Sequence, residues 1–405
     1  MKVLVAHNAY QQAGGEDAVF GSEAQLLRRS GHQVREYLED NHRITQLSNT
    51  RRGIETLWSR SSYKKLSAVL AEFRPDVVHF HNIFPLISPS AYYAAKNHGA
   101  AVVQTLHNFR LLCANAIFFR QGKVCEDCLT SSTPFPGVLH RCYRNSRAAS
   151  AGVVAMVTLH RALGTWRNMV DFYIALSEFA RSKFVAGGLP EDKIIVKPNC
   201  LADDPGLGRG HGRFALYIGR LSPEKGITTL VSAWQRIGGR LPIKIVGDGP
   251  EAARVKDAAR NFAGVEFLGP EPRARVLSLL QEACVLVIPS TCYENFPVVA
   301  AEAFATGTPV LASDIGSLLS IVEPGQTGIR FRAGDAADLA EKVMWLVDHS
   351  AELDAMRPRA RAEFERRYSA GVNLGLLLQT YDRALGSAKG TQRRSSSDLA
   401  VWSSN

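Results

Sequence analysis

From residue 213 onward the chain alternates between short apolar runs and longer amphipathic stretches. The runs are Phe214–Ile218, Ile243–Val246, Val265–Leu268, Val285–Ile288, Pro309–Ala312 and Ile329–Phe331, with helices expected at about 226–237, 250–262, 272–282 and 297–306. Such runs suit strands buried on both faces, and strand–helix alternation builds a parallel, doubly wound α/β sheet. The first 198 residues carry a looser version of the pattern. Strands are expected at Lys2–His7, Gln33–Tyr37, Asp76–Phe80, Ala101–Leu106, Val170–Leu176 and Lys193–Lys197, and helices at Val19–Arg29 and Ala148–Trp166. Asn41–Arg60 is polar and basic and reads as loop with some helix. Between the halves, residues 199–212 are rich in Gly and Asp and read as a linker. At 405 residues there is chain enough for two domains, each with its own core.

Composition narrows the class. Apolar residues make up 46% and charged residues 21%, as in a soluble globular protein. The N-terminal MKVLVAHNAY lacks a cleavage signal and reads as a first strand. No apolar run reaches the ~18 residues of a spanning helix. A cytoplasmic protein is expected, so the seven cysteines are expected as thiols or metal ligands rather than disulfides. The net charge of +10 is uneven: residues 1–200 hold 24 Lys and Arg against 15 Asp and Glu, residues 201–405 hold 24 against 23. An anionic membrane surface fits the basic half. Nucleic acid is not expected, because no nucleic-acid motif is present.

The chemistry concentrates between Val285 and Pro309, which reads VLVIPSTCYENFPVVAAEAFATGTP. Pro297 suits the first turn of a helix that Gly307 and Pro309 end. Glu294 then lies in the loop before the helix, and Glu302 about 7–8 Å along it. A ligand laid over that helix start could meet both carboxylates, with an anionic part at the free N–H groups. A second stretch, RFALYIGRLSPEKG from Arg213 to Gly226, is a strand ending in Gly219, Arg220 and Lys225.

Gly-Arg-Leu-x-x-x-Lys-Gly followed by Glu-x7-Glu resembles the retaining, nucleotide-sugar-dependent glycosyltransferases of family 4. The resemblance extends from Met1 to about Leu385. It implies a GT-B fold: two Rossmann-like domains facing a central cleft, the first on the acceptor side (1–198) and the second binding the nucleotide sugar (213–370). A helix at 371–386 would pack back on the first domain, ahead of a disordered tail at 387–405. Arg220 and Lys225 would hold the donor diphosphate, Glu302 the ribose hydroxyls and Glu294 hydroxyls of the donor sugar. Gly247, ending the second strand of this half, would lie near the nucleotide. The chain departs from the pattern at Asn295-Phe296-Pro297, where many relatives have glycines. Pro297 has no N–H, so phosphate donors would be the backbone N–H groups of Asn295, Phe296 or Val298.

In the first half, Gly14-Gly15 could let the backbone approach a phosphate, and the resemblance places that loop at the donor diphosphate. His81 and His107 follow strand ends, where open α/β sheets bind ligands. The resemblance assigns His107 a contact with the donor sugar near the reacting centre. Cys113, Cys125, Cys128 and Cys142 show a spacing that suits a structural zinc ion in an insertion at 113–142. Four unrelated buried thiols, or a redox Cys-x-x-Cys, are the other readings, and the resemblance favours none of them.

The expected activity is transfer of a hexose from a UDP- or GDP-sugar to a saccharide or polyprenyl-linked saccharide acceptor in cell-surface polysaccharide assembly. No DxD-like acidic pair stands in the site, so no catalytic metal is expected. The alternatives are a nucleotide-sugar epimerase of GT-B fold and a non-catalytic nucleotide-sugar-binding protein.

Overall fold

A computed structural model describes residues 1–9, 14–131, 133–210 and 212–402, with side chains described as far as residue 388. Its contacts divide the chain into two units. The first comprises Met1–Ala116, Glu126–Pro198 and Asn373–Asn405, the second Ile117–Cys125 and Asn199–Val372.

The first unit is built on β1 (Lys2–Ala9), β2 (Gln33–Asp40), β3 (Val77–Asn82) and β4 (Ala101–Leu106). A two-residue hairpin, β5 (Phe119–Arg120) and β6 (Lys123–Val124), belongs to the other unit, and β7 (Phe172–Ala175) and β8 (Ile194–Val196) complete the first. The order is β2-β1-β3-β4-β7-β8, parallel throughout. Val3, Val5, Val77, Val103 and Ile174 form the floor on which the closing helix lays Leu377, Tyr381 and Ala384. That helix runs from Ala370 to Trp402, well past the end expected at 386. No proline follows Pro358, so nothing in the backbone stops it; Ser403–Asn405 lie outside the described residues. The first helix is also longer than expected. It starts at Gly15 instead of Val19, because Asp17 in its first turn accepts the Gly14 N–H at 2.8 Å. Gln11 and Gln12 of the expected turn lie outside the described residues. The polar stretch after β2 is mostly helical. Ser48 and Ser59 cap helices Asn49–Leu57 and Arg60–Phe73 with their hydroxyls.

The second unit is organised by β9 (Gly212–Ile218), β10 (Ile243–Val246), β11 (Val265–Gly269), β12 (Ala283–Ile288), β13 (Val310–Ser313) and β14 (Gly328–Phe331). Their order is β11-β10-β9-β12-β13-β14, again parallel. The linker residues are strapped to this unit: the Gly208 N–H donates to the Thr306 carbonyl, Gly210 to Gln281, and Arg361 holds Asp204 at 2.6 Å. Residues 117–125 also belong here, which corrects the expectation that 113–142 sits wholly in the first domain. In that unit the Phe118 ring is fully buried, 6.1 Å edge-on from Tyr293. Among the described residues, no helix is long and apolar enough to cross a membrane.

Candidate active site

In an open parallel sheet, a crevice opens where strand order reverses, outside the carboxyl ends. In the second unit that point lies between β9 and β12, and both expected motifs leave the sheet there. Two glycines make the close approach possible. A side chain on Gly226 (φ +72°) would fall 1.8 Å from the Pro289 carbonyl, and one on Gly247 (φ +140°) 1.9 Å from the Gly219 carbonyl. The β9 and β12 loops thus touch backbone to backbone. The Thr291 N–H donates to the Glu224 carbonyl at 2.9 Å, and Lys225 is brought onto Glu294.

The Lys225 Nζ lies 2.5 Å from Glu294 Oε1, and the Ser290 hydroxyl donates to the same oxygen at 2.6 Å. Ser317 fixes the loop by donating to the Glu294 carbonyl at 2.6 Å. Burial would raise the Glu294 carboxyl, but the ammonium and the serine outweigh it and hold it below the ordinary carboxylate range. Burial likewise opposes the Lys225 charge, and Glu294 overcomes it, raising the lysine. The site is therefore an ionised pair at neutral pH. Arg220 follows the same strand end with an exposed side chain, its carbonyl accepting from the Tyr217 hydroxyl at 2.8 Å.

Pro297 is the N-cap, with extended backbone, rather than the first helical residue; Val298 opens the helix that runs to Ala305. The Ala300 N–H donates back to the Pro297 carbonyl. Asn295 and Phe296 are buried, Phe296 against the ring of Tyr368 at 5.2 Å. Glu302 is 4% exposed and pairs at 2.7 Å with Arg273, whose own side chain is 56% exposed. Burial raises the Glu302 carboxyl, and Arg273 only partly offsets this. Arg273, Ser290 and Ser317 carried no signal in the sequence.

The first unit has its own reversal of strand order, between β1 and β3. Gly14 and Gly15 head the helix after β1, and the Gly14 N–H is taken by Asp17. His81 lies within β3, and His107 directly follows β4. Their rings join: His81 Nδ1 and His107 Nε2 are 2.9 Å apart. Both line a cavity with Asn82, Phe84, Tyr92 and Arg110. Behind them lie Glu23 and Lys197, buried and 2.5 Å apart, which sequence reasoning missed. A signal existed: Glu23 sits four residues from both Val19 and Leu27 on the apolar face of its helix.

Metal-ligand atoms gather in one place among the described residues, on Glu23, His79 and His81 within 4.8 Å. The chemistry there does not suit a cation. The Lys197 ammonium already sits on Glu23, and both His79 nitrogens are engaged, with Tyr381 at 2.8 Å and Thr105 at 2.7 Å. All seven cysteines are free thiols. Cys113, Cys128 and Cys142 belong to the first unit and Cys125 to the second. Burial, then the nearby Cys113 and Cys142, push the Cys128 thiol up to about 12.

Two parallel doubly wound domains, the second with an ion pair at its strand-order reversal, make an α/β architecture of GT-B type. The chain belongs to the family 4-like glycosyltransferases: residues 14–200 match the "Glycosyl transferase 4-like domain" and residues 205–363 match "Glycosyl transferases group 1". It is 29% identical over 247 residues to a phosphatidyl-myo-inositol mannosyltransferase of Mycobacterium leprae, covering 57% of this chain and 64% of that one. It is 38% identical over 157 residues to a glycogen synthase of Mycobacterium tuberculosis, 37% of each. The matches thus span about one to two thirds of these curated relatives. Sucrose-phosphate synthase from Thermosynechococcus elongatus shares the fold with a TM-score of 0.71 at 18% identity, covering 95% of this chain and 99% of that one. So does Anabaena HepE in complex with UDP, with a TM-score of 0.65 at 18% identity, covering 94% and 100%.

Proposed function

We propose that the protein is a retaining hexosyltransferase. It moves a sugar from a nucleoside-diphosphate sugar to a saccharide or lipid-linked saccharide in cell-surface polysaccharide assembly. The observation that carries this reading is the Lys225–Glu294 pair at 2.5 Å. A sugar diphosphate presents anionic acceptors at one end and hydroxyl donors at the other, and this pair offers a cation to the first and an ionised carboxylate to the second. Anabaena HepE, whose fold this chain shares, is known in complex with UDP and with UDP-glucose, which favours a UDP-sugar donor.

When the diphosphate leaves, charge builds on its β-phosphate. Lys225, Arg220 and the N–H groups opening at Val298 are the groups to stabilise that charge, and none of them requires a metal ion. Glu302 takes ribose hydroxyls, with Arg273 positioning its carboxylate. Gly219 and Gly247 keep the loops low enough for the nucleotide, and Gly14 and Gly15 meet the diphosphate. His107 meets the donor sugar. Glu294 orients sugar hydroxyls and is no nucleophile, so retention follows from front-face attack with the donor phosphate as base.

The test is product analysis with a panel of UDP- and GDP-sugars. Transfer to a saccharide or polyprenyl-linked acceptor, with no change of the donor alone, is expected. Epimerised or hydrolysed sugar without acceptor would make the protein an epimerase. Binding without turnover on any acceptor would make it a binding protein.

Two accessory readings complete the proposal. The basic first unit docks on anionic lipid: Ile54, Phe135, Leu139, Leu159 and Leu163 are exposed on the same unit that carries the excess of Lys and Arg. Each basic residue adds about 1 kcal/mol near an anionic surface. Sedimentation should need anionic vesicles and fade as salt rises; equal binding to neutral vesicles would refute docking. A structural zinc ion sits on Cys113, Cys125, Cys128 and Cys142. The nearness of Cys113 and Cys142 to Cys128, all three in the first unit, supports it. Elemental analysis of anaerobically prepared protein should find about one zinc per chain, and finding none would end the reading.

A further inference from the structure

Five titratable groups form one buried row in the first unit. Lys197, fully buried, places Nζ 2.5 Å from Glu23 Oε1 and 3.0 Å from Asn373 Oδ1. Asn373 is itself held by donating to the Pro198 carbonyl at 2.5 Å. The other carboxylate oxygen, Glu23 Oε2, lies 3.4 Å from His81 Nε2. Both of those atoms are buried, and neither has a hydrogen-bond partner elsewhere, so each has the other to face. His79 stands alongside, 3.8 Å from Glu23 through a nitrogen already engaged with Tyr381. His81 then passes its Nδ1 to His107 Nε2 at 2.9 Å, the two rings stacked with centroids 5.1 Å apart. His107 is the last member and the most exposed, at 9%.

The proton positions follow by elimination. Lys197 keeps Glu23 ionised, and a carboxylate only accepts. A nitrogen lone pair facing it would be repelled, so His81 Nε2 carries its proton toward Glu23. A neutral imidazole holds one N–H, so His81 Nδ1 is a lone pair. The atom facing it, His107 Nε2, must donate. The other nitrogen of His107 is then an acceptor. Burial favours the neutral form of both rings and supports this count. Of the other charged neighbours, Asp17 pairs with His7 Nε2 at 2.9 Å, whose ring meets His81 edge-on at 6.4 Å, and Arg110, which lines the same cavity, donates to the Ala114 carbonyl.

We propose that Glu23, anchored by Lys197 and acting through His81, holds His107 in its Nε2–H tautomer, so that its Nδ1 is a fixed hydrogen-bond acceptor for a substrate hydroxyl. Glu23 and His81 are positioning residues. They do for His107 what a buried carboxylate does for a ligating or catalytic histidine elsewhere, with a second imidazole interposed. The hydroxyl rests on the transferase reading above, whereas the tautomer does not. An acceptor at this point prefers a ligand group that can donate. A sugar lacking the hydroxyl that reaches His107 leaves the lone pair unmatched, and its rate of transfer falls.

The experiment is long-range proton–nitrogen correlation NMR on the full chain with nitrogen-15 histidine, His107 being assigned by its loss in His107→Asn. Near neutral pH the His107 Nε2 should show the protonated shift and Nδ1 the unprotonated one. An Nδ1–H tautomer, an even mixture or an imidazolium would overturn the proposal. In His81→Phe the fixed preference should disappear, giving averaged shifts, and turnover should fall at least tenfold with little change in donor KM. An unchanged tautomer in that variant would also overturn it. Should His81→Phe fail to fold, the parent spectrum alone decides. A correct tautomer in a protein that transfers no sugar would refute the transferase reading and leave the relay standing.

Discussion

Two carboxylates, Glu23 in the first unit and Glu294 in the second, each meet a lysine at 2.5 Å, yet the two pairs are built for different ends. Lys197 and Glu23 are at most 1% exposed, closed in by Asn373 and the histidines. Lys225 keeps 31% of its side chain exposed, and Glu294 keeps 12%. A sealed pair can do nothing for a ligand directly; it can only hold what surrounds it. A pair with one open side can exchange its partner for a phosphate or a hydroxyl. Glu302 and Arg273 repeat the second design, with a buried acid and an exposed cation. Identical distances thus describe an internal brace in one unit and an interchangeable contact in the other.

The largest expected effect tests that contrast head-on. Lys197→Met leaves Glu23 buried without its cation, and chemical denaturation should show a loss of about 3–5 kcal/mol. Lys225→Met removes a half-open partner, so stability should move by less than about 1 kcal/mol, while turnover drops on the order of 10²–10³-fold. Equal stability losses in the two variants would erase the distinction.

Within the second unit, Glu302→Ala should weaken nucleoside diphosphate binding by about 1.5–3 kcal/mol in calorimetry, the worth of hydrogen bonds to a charged group. Glu294→Ala should lower turnover with the nucleotide sugar while the nucleoside diphosphate alone still binds. Equal losses of nucleotide affinity in both would contradict the division between ribose and sugar.

The smallest effect is in pH. Burial lowers His79, His81 and His107 below the ordinary histidine value. Between pH 6.5 and those lowered values the unfolded chain binds protons that the folded chain refuses. Stability is therefore complete at and above neutral pH and is lost as pH falls below about 6.5, by up to ~1.4 kcal/mol per pH unit for each histidine. Glu302 has the opposite sign. Its raised carboxyl favours the protonated folded state, so acidification toward its ordinary value stabilises slightly. Melting temperatures from pH 7.5 to 5 should fall, and fall less steeply in His79→Phe. A flat profile would mean that the buried row already carries protons.

Much of this was legible in the sequence where local pattern carries the information. The six expected strands of the second half all appear, because strands buried on both faces show up as unbroken apolar runs. Glu294, Glu302, Arg220 and Lys225 could be singled out because motif spacing marks them, and Gly247 because it ends a strand. Helix starts were read less well. The capping hydroxyls of Ser48 and Ser59 and the carboxylate of Asp17 act on single N–H groups, and short polar stretches hide them. Part of the insertion, residues 117–125, groups with the second unit, where the Phe118 ring lies buried 6.1 Å from Tyr293, a contact between positions far apart in the chain.

By itself, the sequence determined the class of fold, the place of the linker and the residues that bring charge to the second sheet's carboxyl edge. These depend on periodicity and on spacing along one chain, both of which are local. Tertiary structure alone decided who pairs with whom. Glu23 meets Lys197 across 174 positions, His81 meets His107 across 26, and Lys225 meets Glu294 across 69. Parallel strand order brings the last two pairs to neighbouring strand ends, while the first joins a helix face to the residue after β8, and no property of either residue alone reveals the match. Whether a charge is sealed or open follows from what covers it, and the covering residues are distant in the chain.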